Sequence, residues 1–313
     1  MNSNKIAVLI PCYNEELTIK NVIEAFKQHL PNALIYVYDN NSTDNTYNIA
    51  KECGVIVKKE PRQGKGNVVR SMFSQIQADI YILIDGDDTY PVENIHELLL
   101  PILDGSADMV IGDRHTNGTY EKENKRLLHN FGNHLVKNII NSLFKSDLKD
   151  IMSGYRVFNK KFVKNIPIVS DGFEIETEMT LHALDKKFIL KEVPINYKDR
   201  IEGSLSKLNT LSDGLRVLHT IGTVFKDYKP LRFFSVISLL FFCASLLVGI
   251  PVINEFIATS YVNKIPSAIL SVGLMLISIL SLFCGFILDT IVKNHNENYL
   301  INLNKWIDDN YHQ

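Results

Sequence analysis

The stretch IYILIDGDD (Ile80–Asp88) decides the fold. An unbroken apolar run, rich in β-branched and aromatic residues, stops abruptly at Asp85, Asp87 and Asp88. So short a run, closed by Asp-Gly, reads as a strand buried on both faces. Strands of that kind belong to parallel sheets with helices packed above and below. In such sheets ligands bind beyond the carboxyl ends of the strands, which is where the carboxylates stand.

The same grammar repeats on both sides. IAVLI (Ile6–Ile10), LIYVY (Leu34–Tyr38), VIVKK (Val55–Lys59) and DMVIG (Asp108–Gly112) read as further strands. Helical periodicity fills the intervals Glu15–Leu30, Thr43–Cys53, Gly66–Ile76 and Val92–Leu103. The expectation is an α/β domain with a mostly parallel, Rossmann-like sheet.

Each strand ends in a polar tip: Pro11-Cys12-Tyr13-Asn14-Glu15, then Asp39-Asn40-Asn41-Ser42-Thr43-Asp44, then Gln63-Gly64-Lys65-Gly66, then Asp85-Gly86-Asp87-Asp88, then Gly112-Asp113-Arg114. Any one of them could be plain turn and cap chemistry. Five on one sheet edge point to a binding cleft. Asp85 and Asp87 can share a hard cation such as Mg²⁺ or Mn²⁺, which takes oxygen ligands and keeps substrate phosphates in its shell. The alternative is an acidic turn capping Val92–Leu103. The turn Gly64-Lys65-Gly66 opens a helix, where glycine N–H groups can approach a phosphate and lysine adds charge. The spacing is not that of a P-loop, and no G-x-G-x-x-G follows the first strand, which speaks against classical NAD binding.

The chain has 313 residues, 46% hydrophobic and 22% charged, with a formal net charge of −2. This excludes a disordered or collagenous chain and argues against a general nucleic-acid binder. Four cysteines without a C-x-x-C pair make neither a disulfide framework nor a zinc site, and reduced thiols are expected.

The apolar excess is local. Phe233–Ile253 and Ala268–Leu288 carry no charge. At roughly 1.5 Å per residue each is long enough to cross ~30 Å of hydrocarbon. Arg216, Lys226, Lys229 and Arg232 precede the first run, Lys264 alone lies between the two, and Lys293 and Lys305 follow. Basic flanks place both termini in the cytoplasm and the hairpin loop outside. No signal peptide is expected, because Ile6–Ile10 is too short and lacks a cleavage site. In Lys207–Asp227, Leu208, Leu211, Leu215, Leu218, Ile221 and Phe225 recur at helical spacing. Pattern alone allows a core-facing or an interfacial amphipathic helix; its place beside a span favours the interface. The expected organisation is a cytosolic catalytic domain over 1–205, an interfacial helix over 206–230, and a transmembrane hairpin with a cytosolic tail over 231–313.

Taken in order, the tips resemble the inverting glycosyltransferases of family 2, which have the GT-A fold. The nearest likeness is to the polyisoprenyl-phosphate branch: dolichol-phosphate mannose synthase and bacterial undecaprenyl-phosphate glucosyltransferases. Pro11–Glu15 matches P-x-Y-N-E, and Asp39–Thr46 matches D-D-G-S-x-D-x-T with Asn40 and Asn41 in place of Asp and Gly. Asp85–Pro91 matches the metal D-x-D with its following proline. Gly64–Gly66, Gly112–Arg114, Asp150–Arg156 and Arg200 through Ser206-Lys207 match later signatures. Thr89 stands where some mannose-transferring relatives have Gln. No Q-x-x-R-W occurs, which argues against a processive synthase.

The resemblance implies a nucleotide-diphosphate sugar donor, a UDP-hexose, and a polyprenyl (undecaprenyl) phosphate acceptor at the cytosolic face of the plasma membrane. It implies Pro11, Tyr13, Asn14, Glu15 and Asp39 around base and ribose. Asp85 and Asp87 would hold Mg²⁺ or Mn²⁺, with Asp87 also counted as catalytic, and Lys65 and Arg114 would meet the donor phosphates. Arg200 and Lys207 would capture the acceptor phosphate. These cations could otherwise be solvated surface charges. Asp150 is the candidate base or acceptor organiser, or a helix-end cap. Glu174, Glu176 and Glu178 are expected to be mainly structural or part of a lid. Two rivals stand beside this reading: a family 2 enzyme extending a lipid-linked glycan, and a catalytically silent anchored partner. A homo-oligomer is left open.

Overall fold

A computed structural model describes residues 4–118, 127–172, 174–198 and 222–311. The chain divides into two compact units, Met1–Gly214 and Leu215–Gln313.

The first unit is built on seven strands: β1 (Ile6–Cys12), β2 (Leu34–Asp39), β3 (Ile56–Lys59), β4 (Ile80–Leu83), β5 (Met109–Asp113), β6 (Arg156–Asn159) and β7 (Leu190–Pro194). Their order across the sheet is β3-β2-β1-β4-β6-β5-β7. All pairs are parallel except those of β6, which runs antiparallel to both β4 and β5.

Helices cover both faces. Val8, Ile10, Ile80 and Ile82 point into one apolar cluster with α1 (Ile19–His29) and α4 (Ile95–Leu103). In α1 the residues Ile19, Val22, Ile23 and Phe26 are buried, and in α4 Ile95, Leu98, Leu99 and Ile102. Ala7, Leu9 and Tyr81 are as deeply buried but lie outside that cluster, as the period of two in a strand requires. On their side Phe73 of α3 (Lys65–Gln75) meets Tyr81 and Phe158 edge-on. Phe158 in turn stacks on Phe162 of α6 (Lys160–Asn165). Fully burying a side chain of this size contributes about 1.5–3 kcal/mol, which is why the apolar pattern selects this sandwich.

The five predicted strands are present within one or two residues. Three of the four predicted helices start later than their periodicity suggests, while α3 begins one residue early, at Lys65. The Glu15 carbonyl accepts the N–H groups of both Thr18 and Ile19, so the chain turns before α1 begins. Asp44 Oδ1 accepts the Thr46 N–H at 3.0 Å, so α2 (Thr46–Glu52) begins only there. Val92–Asn94 is a 3₁₀ turn ahead of α4. Beyond residue 115 the sequence pattern bounds no element before the amphipathic segment. The structure adds α5 (Leu127–Phe144), β6, α6, α7 (Ile175–Asp185) and β7.

The second unit holds α8 (Pro230–Thr259) and α9 (Ile265–Tyr311). Both are long and apolar enough to cross a membrane, with window mean hydropathies of 2.6 and 2.4. Only 17% and 11% of those windows is buried, unlike the core helix of a soluble domain. The helices pack antiparallel through a serine seam. Ser245 Oγ donates to the Ser271 carbonyl at 2.9 Å, and Ser271 Oγ returns the bond to the Ser245 carbonyl at 2.9 Å. One turn pair further on, Ser278 Oγ donates to the Ser238 carbonyl at 2.8 Å. Small residues let the backbones close up, and apolar surroundings leave these hydroxyls no better partner. The expected cytosolic tail after Leu288 continues as helix to Tyr311. Most of the expected interfacial helix (residues 206–221) lies outside the described residues.

Replacing both Ser245 and Ser278 by Leu is expected to loosen the hairpin. At ~0.6 kcal/mol per interhelical bond, rising to ~1.7 kcal/mol, the loss should total about 1–3 kcal/mol. Thermal unfolding of the detergent-solubilised chain reads this directly. An unchanged midpoint would show that the seam does not hold the helices together.

Candidate active site

The parallel strands carry their carboxyl ends to one edge of the sheet. The antiparallel β6 brings its amino end to that same edge, because Arg156 pairs with both Leu83 and Ile111. Residues 150–155 therefore land beside the tips of β4 and β5. The tips of β1, β2 and β4 turn through Asn14, Asn41 and Asp88, at φ 53°, 63° and 58°. Asn and Asp are the side chains that tolerate this left-handed region best after glycine.

The β1 and β2 tips are stitched together. The Asn14 N–H donates to Ser42 Oγ at 2.9 Å, and Asn14 Oδ1 accepts the Thr43 N–H at 2.8 Å. The Glu15 N–H donates to Thr46 Oγ1 at 2.8 Å. Pro11 lies in β1 opposite Tyr38, Tyr13 is half-buried, and the buried Asp39 accepts the Ser42 N–H at 3.3 Å. Asn40 explains its departure from the family pattern. Its buried amide donates to the carbonyls of Glu60 at 2.9 Å and Arg62 at 2.7 Å. Its Oδ1 accepts the Gly64 N–H at 2.7 Å. An aspartate could make only the last of these bonds.

That bond also corrects the reading of the Gly64-Lys65-Gly66 turn. Its glycine N–H groups were expected to face a phosphate. Instead, the Gly64 N–H goes to Asn40, and the Gly66 N–H goes to the Asp171 carbonyl at 3.0 Å. A Cβ on Gly66 would overlap the Ser170 carbonyl, so glycine is needed there for close packing.

Lys65 itself points into the site, where its ammonium contacts Asp85 Oδ1 and Glu176 Oε1. Burial opposes its charge, but the two carboxylates outweigh burial and hold it well above the ordinary lysine range. Glu176, expected to be structural or part of a lid, is therefore part of this cluster. Helical phase sets it on a different face from Glu174 and Glu178, a signal that by itself names no role; Glu178 does serve structure by accepting the Val169 N–H at 2.7 Å and the Ser170 N–H at 3.0 Å. Asp87 is buried, and the Thr89 hydroxyl donates to its Oδ1 at 2.7 Å, so the residue that replaces Gln orients the second carboxylate. Thr18 Oγ1 pins the Gly86 carbonyl at 2.7 Å. A Cβ on Gly154 would overlap Asp85 Oδ2 and stand 3.2 Å from Lys65 Nζ. Glycine is needed there for the close approach of Asp85 and Lys65 to the 150–155 loop.

Arg114 and Asp150 form a buried, two-pronged pair, Nε to Oδ2 at 2.7 Å and Nη2 to Oδ1 at 2.9 Å. The backbone N–H groups of Arg114 and Met152 also donate to Asp150, each at 3.2 Å. Burial alone would raise the Asp150 carboxyl, but Arg114 more than reverses this and holds it below the usual aspartate value. A carboxylate so engaged is a weak proton acceptor, and its geometry is that of an organiser of Arg114. Tyr90 braces the pair: its hydroxyl accepts the Gly154 N–H at 2.9 Å and an Arg114 N–H at 3.4 Å. Beside them lies a shallow cleft lined by Arg114, His115, His134, Lys137, Lys149 and Asp150. Burial lowers His115 below the ordinary histidine value, and Arg114, Lys137 and Lys149 bring positive charge to the cleft. Arg200 and Lys207 lie outside the described residues.

The family model for glycosyl transferase family 2 matches residues 7–166, which hold the tips of β1 to β5 and the Asp150–Arg156 loop. The chain belongs to this family. Glycosyltransferase AglJ of Haloferax volcanii is 30% identical over 296 residues, 93% of this chain and 95% of its own. Dolichol-phosphate mannosyltransferase of Pyrococcus furiosus is 28% identical over 250 residues, 75% of this chain and 68% of its own. Glucosyl-3-phosphoglycerate synthase of Mycobacterium tuberculosis, solved with Mn²⁺, uridine-diphosphate and phosphoglyceric acid, superposes with a TM-score of 0.57. The match covers 72% of this chain and 78% of that one at 20% identity, which speaks to the fold. The first unit of this glycosyltransferase thus has the expected GT-A architecture.

Two outcomes are expected. Asn40→Asp should destabilise the first unit by at least ~2 kcal/mol, because it removes two donors from buried carbonyls and adds a buried charge. Urea unfolding checks this, and a wild-type midpoint would show the hub is dispensable. The Asp150–Arg114 pair should contribute its stability fully above about pH 3.9, the ordinary aspartate value, and lose it as pH falls through the lowered folded value. Asp150→Asn, though weaker by ~3 kcal/mol at neutral pH, should therefore show a shallower acid limb. Parallel stability-versus-pH curves for mutant and wild type would contradict the pairing.

Proposed function

We propose that this glycosyltransferase moves a hexose from a UDP-sugar to a polyprenyl phosphate, with inversion, at the cytosolic face of the plasma membrane. The observation that carries the reading is the juxtaposition, at one sheet edge, of the Asp85–Asp87 carboxylates with a cleft lined by Arg114, Lys137 and Lys149. One half suits a metal-bound diphosphate and the other an anionic acceptor. The name of the Pyrococcus relative supports a lipid phosphate acceptor, and the two long apolar helices supply a membrane anchor.

Asp85 and Asp87 fit Mg²⁺ or Mn²⁺ in their chemistry. They are hard oxygen donors, and the Asp85 side chain is 26% exposed. No cluster of three or more His, Cys, Asp or Glu able to hold a metal occurs among the described residues. Two carboxylates suit an ion that completes its shell with water and substrate phosphates. Bound there, the ion would supply charge neutralisation for the departing diphosphate.

The protein's own part is positioning. The β1 and β2 tips cradle the nucleotide, with Asp39 on the ribose side. Arg114, held by Asp150 and Tyr90, meets phosphate oxygens, and Arg200 and Lys207 are proposed to meet the acceptor phosphate. A phosphate oxygen attacks the anomeric carbon as the bond to the diphosphate oxygen breaks on the opposite face, giving a β-linked lipid phosphate from an α-linked donor. The second pKa of a phosphate monoester is near 6, so at neutral pH the nucleophile is largely deprotonated already. A strong general base is unnecessary, which agrees with Asp150 being committed to Arg114.

Asp87→Asn is expected to abolish transfer, and Asp85→Asn to cut it severely, since an amide cannot replace the lost charge. The assay pairs a panel of UDP-sugars with undecaprenyl phosphate in the presence of Mn²⁺ or Mg²⁺. Full metal-dependent turnover by Asp87→Asn would overturn the assignment. Transfer to a lipid-diphosphate sugar but not to the lipid phosphate would overturn the acceptor.

A further inference from the structure

We propose that Lys65 is a built-in competitor for the metal site: its ammonium holds Asp85 until a divalent cation arrives together with the donor, and Glu176 retains the lysine once Asp85 is released. The inference rests on the metal-dependent reading above and extends it to how the site is loaded.

The contacting atoms come from three separate elements. Lys65 opens α3, Asp85 follows β4, and Glu176 lies in the first turn of α7. Lys65 Nζ touches both carboxylates at once. Its side chain is 8% exposed and that of Glu176 7%, whereas Asp85 is 26% exposed. The lysine is thus enclosed from the protein side, and Asp85 is the member reachable from outside. The backbone of Gly154 packs closely on Asp85 Oδ2, and a side chain there would crowd both Asp85 and Lys65.

A metal ligated by Asp85 competes with the ammonium for the same carboxylate. Displacement needs little movement, because Lys65 is already in contact with Glu176. With Asp87 counted, the four groups carry one positive and three negative charges. After a divalent ion binds Asp85 and Asp87, Lys65 and Glu176 remain as a neutral pair. A metal arriving alone must displace a buried cation. A metal arriving with a diphosphate gains phosphate ligands, and the diphosphate offers the lysine a further anion. Metal and nucleotide should therefore bind cooperatively, each weak without the other. Glu176 is a positioning residue in this scheme, acting through Lys65.

The test is Mn²⁺ affinity of the detergent-solubilised full-length chain, read by electron paramagnetic resonance with and without UDP and independent of turnover. Wild type should bind Mn²⁺ weakly alone and markedly tighter with UDP. Lys65→Met should tighten Mn²⁺ binding in the absence of UDP by about tenfold, within the usual range of coupling energies, and shrink the effect of UDP. Glu176→Gln should do the opposite and weaken Mn²⁺ binding several-fold, because Lys65 then leans wholly on Asp85. A merely structural salt-bridge cluster would not give opposite signs. Unchanged or weaker Mn²⁺ binding by a folded Lys65→Met, beside normal Mn²⁺ and UDP binding in wild type, would overturn the proposal alone. If Lys65→Met does not fold, Glu176→Gln decides: weaker binding supports the proposal, and unchanged or tighter binding overturns it. Absence of Mn²⁺ binding by wild type even with UDP would overturn the metal-dependent reading, and this proposal with it.

Discussion

The buried guanidinium of Arg156 is the interaction on which the site depends. It begins β6, has no exposed surface, and meets neutral oxygens: the carbonyls of Ser153 and Ile151, each at 2.8 Å, and Thr180 Oγ1 at 2.9 Å. Burial lowers its pKa to about 10, so it stays charged at neutral pH. Because β6 runs against its neighbours, a strand start sits where every other strand ends. Arg156 clamps the loop that enters it. That loop carries Asp150, Ser153 and Gly154, and its fixed path sets both the packing of Gly154 on Asp85 and the pairing of Asp150 with Arg114.

Around this clamp the site is assembled from matched charges rather than from bare ones. Lys65 meets Asp85 and Glu176, and Arg114 meets Asp150. Matching lets these groups remain ionised while largely buried, since an isolated charge there would be costly. It also orients them in advance, so a substrate finds fixed dipoles and charges and need not order them itself. Asn40 does the same with neutral groups. One amide side chain joins the β2 tip to the turns after β3, while its backbone N–H reaches the β1 tip at 2.8 Å.

The second unit obeys a different solvent logic. Its apolar side chains point outward, as in Leu247 and Ile257, while its few hydroxyls turn inward to the serine seam. The helices therefore recognise each other through small polar residues and leave the apolar surface for hydrocarbon.

Periodicity and tip chemistry were enough to read the parallel sheet, its first five strands, the apolar pair of helices, and the carboxylates and cations that ring the edge. Those features are local: burial on two faces demands unbroken apolar runs, and ligand tips demand turn-forming polar residues next to them. The strand RVFN (Arg156–Asn159) was not legible, because four residues with a buried arginine at their head carry no strand period. Glu176 falls on a different helical face from Glu174 and Glu178, but helical phase does not say which charge it meets. Only the placement of the start of α7 beside the start of α3 gave it Lys65. Likewise Asn40 read as a departure from a motif until its three partners, twenty or more residues away along the chain, were in place. One-dimensional pattern records what each segment must bury. Which charges meet is set by where the segments end, and an antiparallel strand in a parallel sheet is a decision of the whole fold.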